Sequence, residues 1–137
     1  MPNTSPACDS PETVHYIKQT ARQASTRVYP IAAATRSLAG EELTDLRSLH
    51  SAGAVAVSDD GRPVATAALM KTVMETAAAL GMPVLAHCEE LSLVQGGIMN
   101  EGTVSRSLGV PGISRAAEDV GTAREIALAA ATGCPVH

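Results

Sequence analysis

Short apolar runs alternate along this chain with longer stretches of helical pattern, and that alternation constrains the fold more than any other feature. The runs fall at residues 27–34, 54–57, 83–86 and 134–137, and the helical stretches at 11–24, 40–53, 66–80 and 113–132. Short runs without polar interruption suit strands buried on both faces. Their regular interleaving with helices argues for parallel βαβ units, an α/β fold in one domain over residues 1–137. Local punctuation agrees: Ser10 can cap a helix that Pro11 begins, and Gly53, Gly81 and Gly133 stand where helices end. Pro30 weakens the first strand. Residues 95–112 form a glycine-bearing connection long enough to be functional. With 137 residues the chain makes one ordinary domain, against the roughly 250 of a complete (β/α)8 barrel.

Composition narrows the partners. Hydrophobic residues make 45% and charged residues 18% of the chain, a globular balance. There is no Phe or Trp, and only Tyr16 and Tyr29 are aromatic, so Ala, Val, Leu, Ile and Met fill the core and stability is expected to be modest. The net charge of -4, with no Lys/Arg cluster interleaved with aromatics, argues against nucleic acid. No apolar stretch approaches a membrane span and residues 1–10 lack a leader pattern, so no membrane association and a cytoplasmic location are expected. Cys8, Cys88 and Cys134 lack CxxC spacing, which disfavours both a disulfide framework and a thiolate metal site.

In parallel α/β folds, ligands bind at the C-terminal ends of the strands. Two strand ends carry metal-competent groups: Asp59 and Asp60 after the run ending at Val57, and His87 after the run ending at Ala86. Neighbouring strands lie about 4.8 Å apart, so side chains at successive ends can share one cation, and a carboxylate with an imidazole makes half of a zinc-type site. The plainer alternative is that Asp-Asp-Gly is ordinary turn chemistry and His87 a satisfied histidine. His15 and His50 lie on predicted helices away from strand ends. Arg62, beside the Asp-Asp-Gly turn, reads as a solvated arginine that could also meet an anion.

An ordered series of motifs runs along nearly the whole chain. Met1-Pro2-Asn3-Thr4 is followed by Asp9 and Ser10, then by Ser58-Asp59-Asp60-Gly61 and His87-Cys88-Glu89. Gly96-Gly97, Asn100-Glu101-Gly102, Ser105, Leu108-Gly109, Pro111-Gly112-Ile113, Ala117-Glu118 and Ala123-Arg124 complete it. This series resembles the bacterial type I dihydroorotases of the amidohydrolase superfamily. The resemblance implies a (β/α)8 TIM barrel and a zinc-dependent cyclic amide hydrolase that interconverts N-carbamoyl-L-aspartate and dihydroorotate in pyrimidine biosynthesis. It implies that Asp60 and His87 are the metal ligands after the fourth and fifth barrel strands, at a spacing that agrees with the family. Asn3 matches the asparagine that helps bind the substrate carboxylate. Glu89, Glu101 and Arg124 match positions read as supporting or structural.

By the same resemblance the chain covers only part of the barrel, from about the end of strand two to the start of strand six, where His137 matches the first histidine of a His-x-x-His motif. The family's His-x-His pair, its sixth-strand ligand and its general base, an Asp after the eighth strand, have no counterpart, so no catalytic residue is assigned. Zinc would have two ligands where catalytic sites normally supply at least three. The chain alone is therefore expected to be inactive, and its open edges to favour a homo-oligomer or completion by another fragment. Two alternatives stand beside this one. The first is a non-catalytic dihydroorotase-like assembly partner, for instance of aspartate transcarbamoylase; the second is a generic α/β binding module in which Asp60 and His87 are structural.

Overall fold

A computed structural model describes all of residues 1–137. Helix α1 (Pro11–Ala21) begins as its sequence dictates, with the Ser10 hydroxyl accepting the Thr13 N–H and Pro11 in the first turn. It stops short of the patterned stretch because the N–H groups of residues 22–24 bond three residues back, tightening the end into a 3-10 turn. Strand β1 (Ile31–Ala33) follows. The helix expected from Gly40 starts only at α2 (Leu46–Ala52), where the Asp45 carboxylate accepts the Ser48 N–H at 3.1 Å. Upstream of it the chain is committed elsewhere: Leu43 bridges back to Thr35, and the Thr44 hydroxyl donates to the Ala33 carbonyl at 2.7 Å.

The next elements are β2 (Ala56–Ser58), α3 (Ala67–Ala79), capped by the Thr66 hydroxyl, and β3 (Val84–Leu85). The connection after β3 is more ordered than its sequence suggests, holding β4 (Met99–Asn100), α4 (Thr103–Leu108) and β5 (Gly112–Ile113) before α5 (Ala116–Thr132). β4 and β5 pair in parallel as a separate small sheet. Gly112 permits their closeness, since a Cβ there would fall 2.5 Å from the Glu101 Cα.

β1, β2 and β3 pair in parallel in chain order, with Ala32 opposite Val57 and Val57 opposite Val84. The predicted strand at 134–137 is present as a single parallel bridge from Val136 to Val84, reinforced by the His137 N–H donating to the Val84 carbonyl at 2.9 Å. Sequential parallel pairing with a helix after each strand is the architecture of part of a (β/α)8 barrel. The core lies between sheet and helices, where Ala32, Val57 and Val84 meet Val14, Leu46, Leu49, Val73 and Met74. Burying one such Leu, Val or Met side chain contributes about 1.5–3 kcal/mol.

Candidate functional site

The adjacent carboxylates after β2 have separate duties. Asp59 is buried, and both of its oxygens are engaged by one residue at the end of β1: the Thr35 N–H donates to Oδ1 at 2.9 Å and the Thr35 hydroxyl to Oδ2. Thr35 Oγ1 in turn accepts the Gly40 N–H at 2.8 Å. Burial pushes the Asp59 carboxyl above its ordinary pKa, and the bonds from Thr35 pull the other way.

Asp60 turns away. Its φ of 56° is left-handed, a conformation Asp tolerates better than most residues, and its N–H donates to the Ser58 hydroxyl at 2.9 Å. It lines a cavity of about 290 Å³ together with Asn3, Ser37, Leu38, Asp59, Gly61 and Arg62. Two predicted site residues, Asn3 and Asp60, thus come to one place. Arg62 is the one cationic group on that wall, and its guanidinium reaches the Leu38 carbonyl at 3.4 Å. The turn at Ser37, which also lines the cavity, is anchored from the N-terminal segment, where Asp9 Oδ2 accepts the Ser37 N–H at 2.9 Å.

His87 stands at the adjacent strand end, for Ser58 pairs with Leu85 and Asp60 and His87 each lie two residues further on. Its Nε2 sits 3.4 Å from Glu89 Oε2, and His87 is not among the residues that line the cavity of Asn3 and Asp60. Helix α5 packs closely against the segment that follows His87. The Glu90 N–H donates to the Ala117 carbonyl at 2.8 Å, and a Cβ on Gly121 would fall 2.7 Å from the Cys88 carbonyl carbon and the Glu89 nitrogen. One turn further, Glu125 is buried with Oε1 accepting from Arg124 Nε at 2.9 Å.

The zinc that the motifs imply asks for more donors than these residues bring together. No three His, Cys, Asp or Glu side chains gather closely enough to hold a metal ion. Asp60 and His87 are two donors at neighbouring strand ends, and His137 is exposed beyond β3. Catalytic zinc sites supply at least three protein ligands, so this chain by itself does not fit one.

Comparison with known proteins decides the family. The dihydro-orotase-like family model matches residues 1–137. The chain belongs to that family. It is 48% identical over 137 residues to a dihydroorotase of Pelotomaculum thermopropionicum, covering 100% of this chain and 32% of that relative. Dihydroorotases of Citrifermentans bemidjiense and Acetivibrio thermocellus are 48% and 46% identical over 138 residues, again with 32% of each covered. The chain therefore spans about a third of the length of these dihydroorotase relatives. Among solved structures, an L-hydantoinase (dihydropyrimidinase) from Arthrobacter aurescens superposes on 99% of the chain and 32% of its own, with a TM-score of 0.67 and 18% identity, a likeness of fold. It agrees with the partial barrel.

Sequence reasoning paired Asp59 with Asp60 as metal-competent groups and missed the lock between Asp59 and Thr35. One signal for it was available: side chains alternate along a strand, so consecutive carboxylates at its end point to different sides. Nothing in the sequence announced that α5 would seat the His87 segment, because Gly121 reads there only as a weak point in a helix.

Proposed function

We propose that this chain is the part of a zinc-dependent dihydroorotase that supplies two metal ligands, Asp60 and His87, and a substrate contact, Asn3. The whole barrel would interconvert N-carbamoyl-L-aspartate and dihydroorotate in pyrimidine biosynthesis. The observation that carries this reading is the convergence of Asn3 and Asp60 on one cavity at the C-terminal ends of parallel strands, where barrel enzymes place their chemistry. Identity of 48% to a dihydroorotase over the full chain supports the choice of reaction class.

On this chain, Asn3 offers an amide to a substrate carboxylate. Asp60 and His87 offer one carboxylate and one imidazole, a donor pair suited to zinc but short of a catalytic set. No reaction step is assigned to the chain alone. Turnover needs the remaining ligands and the general base, which the rest of the barrel would provide. The expected partners are this small-molecule substrate and the remainder of the barrel. No helix is long and apolar enough to cross a membrane.

Zinc content and dihydroorotate hydrolysis, measured on the purified chain and after mixing with a fragment carrying the rest of a relative's barrel, test this reading. Activity is expected only in the mixture, and Asp60→Ala or His87→Ala should abolish it. Robust hydrolysis by the chain alone, or full activity of a mixture containing either variant, would refute the assignment.

A further inference from the structure

We infer that Asp59 is a positioning residue: by gripping Thr35 it fixes the turn from Thr35 to Gly40 and leaves Asp60 facing the cavity shared with Asn3 and Arg62. Its value for catalysis rests on the proposed role of Asp60, whereas the positioning itself stands on geometry alone.

The geometry has three parts. First, Asp59 is 4% exposed and spends both carboxylate oxygens on the backbone N–H and the hydroxyl of Thr35, itself fully buried. Such a two-point contact defines orientation as well as distance, and a hydrogen bond to an ionised group is stronger than a neutral one. Second, the grip is relayed, since Thr35 Oγ1 accepts the Gly40 N–H. Both ends of the turn are therefore tied to the end of β2. Between them, Ser37 and Leu38 hold φ values of 54° and 58°, a left-handed pair that neither residue adopts readily. The same two residues line the cavity together with Asp60.

Third, Asp60 follows Asp59 directly, so its direction depends on where Asp59 is held. Both aspartates line the cavity, but Asp59 has both oxygens spent on Thr35, so with the Asp60 N–H taken by the Ser58 hydroxyl and its φ left-handed, Asp60 is the carboxylate left there for a ligand. Released from Thr35, the two adjacent carboxylates would be free to exchange places. The unlike surroundings of Asp59 and Asp60 thus follow from one contact between strands, and Thr35 is as necessary to it as Asp59.

Thr35→Val removes the hydroxyl at nearly constant shape, Thr35→Ser keeps it, and Asp59→Asn keeps an acceptor for the Thr35 N–H while losing the one for the hydroxyl. The readouts on the full chain are amide exchange at Gly40, the backbone three-bond coupling that reports φ of Asp60, and broadening of the Asp60 and His87 amides by millimolar Mn²⁺. In Thr35→Val, exchange at Gly40 should quicken by about tenfold. Asp60 should leave its left-handed φ, and its broadening by Mn²⁺ should fall relative to His87. Thr35→Ser should restore all three, and Asp59→Asn should fall between. An unchanged Asp60 coupling in a folded Thr35→Val chain overturns the inference, even if stability to urea drops, because a merely structural contact would lower stability without turning Asp60. If Thr35→Val does not fold, the same measurement on Asp59→Asn decides. Absence of Mn²⁺ broadening at Asp60 and His87 in the unaltered chain would mean that two donors do not hold the ion without the rest of the barrel, and the Asp60 coupling would then decide the positioning by itself.

Discussion

Single residues at the strand ends carry opposite demands, and Asp59 shows the balance between them. A carboxylate in a dry site is held above its ordinary pKa by lost solvation, while the donors from Thr35 favour its charged form. Because the net shift is upward, the folded chain binds this proton more tightly than the unfolded chain does. The stability that Asp59 contributes is therefore fully present below the unfolded value of about 3.9 and is lost as pH rises through the higher folded value. Replacing Asp59 by Asn removes that titration. Urea unfolding of both proteins between pH 4 and pH 7 should show the unaltered chain losing stability relative to Asp59→Asn as pH rises. A difference that stays constant would mean that the bonds from Thr35 offset burial, and one that grows the other way that they outweigh it.

At the scale of elements, legibility followed the length and periodicity of each segment. The helix containing Leu46 and Leu49 was readable because leucines recurred at helical spacing, that containing Val73 and Met74 because its stretch is rich in Ala, Leu and Met and ends at Gly81, and the three main strands because each lies in a short apolar run. The pair β4 and β5 was not, since two-residue strands carry no period, and their parallel pairing rests on close backbone approach at Gly112. The start of α2 was misjudged because Leu43 fits the helical spacing while actually bridging to Thr35. Asp60, His87 and Asn3 were legible as candidates by position after strands and by family motif; the grip of Thr35 on Asp59 joins residues distant in sequence and left no local pattern. Helix α5 gives the sharpest test at this scale. In a solvated helix Gly121→Ala should stabilise by about 1 kcal/mol. Here the new Cβ would press on the backbone of Cys88 and Glu89, which cannot swing aside like the tip of a side chain. Overpacking of this kind costs about 1–3 kcal/mol, so the expected outcome is a net loss in thermal or urea stability together with shifted amide resonances for His87 and Glu90. A gain in stability would show that α5 does not confine the His87 segment.

At the scale of the whole 137 residues, the main sheet has an edge strand with no partner on its outer side. Residues 135–137 bond to β3 on one side, through the Val84 and Ala86 backbone groups, and no further strand pairs with them on the other. Exposed Ile98, Val104, Leu108 and Ile126 add apolar surface on the elements that follow β3. Unpaired strand edges and exposed apolar patches both promote association, and the net charge of -4 supplies only modest repulsion against it. The chain alone should therefore self-associate, with sedimentation velocity showing an average mass that rises with concentration above the 14.0 kDa of a single copy. Two substitutions separate the causes. Val136→Pro lacks an N–H at a position beside β3 and disturbs the open edge, whereas Leu108→Lys places charge on the exposed face of α4. If association proceeds by edge pairing, Val136→Pro should lower it more than Leu108→Lys; the reverse order would assign it to the apolar surface. A chain that stays at 14.0 kDa across the whole concentration range would mean that neither surface is adhesive, and that the open sheet is stable in solution without a partner.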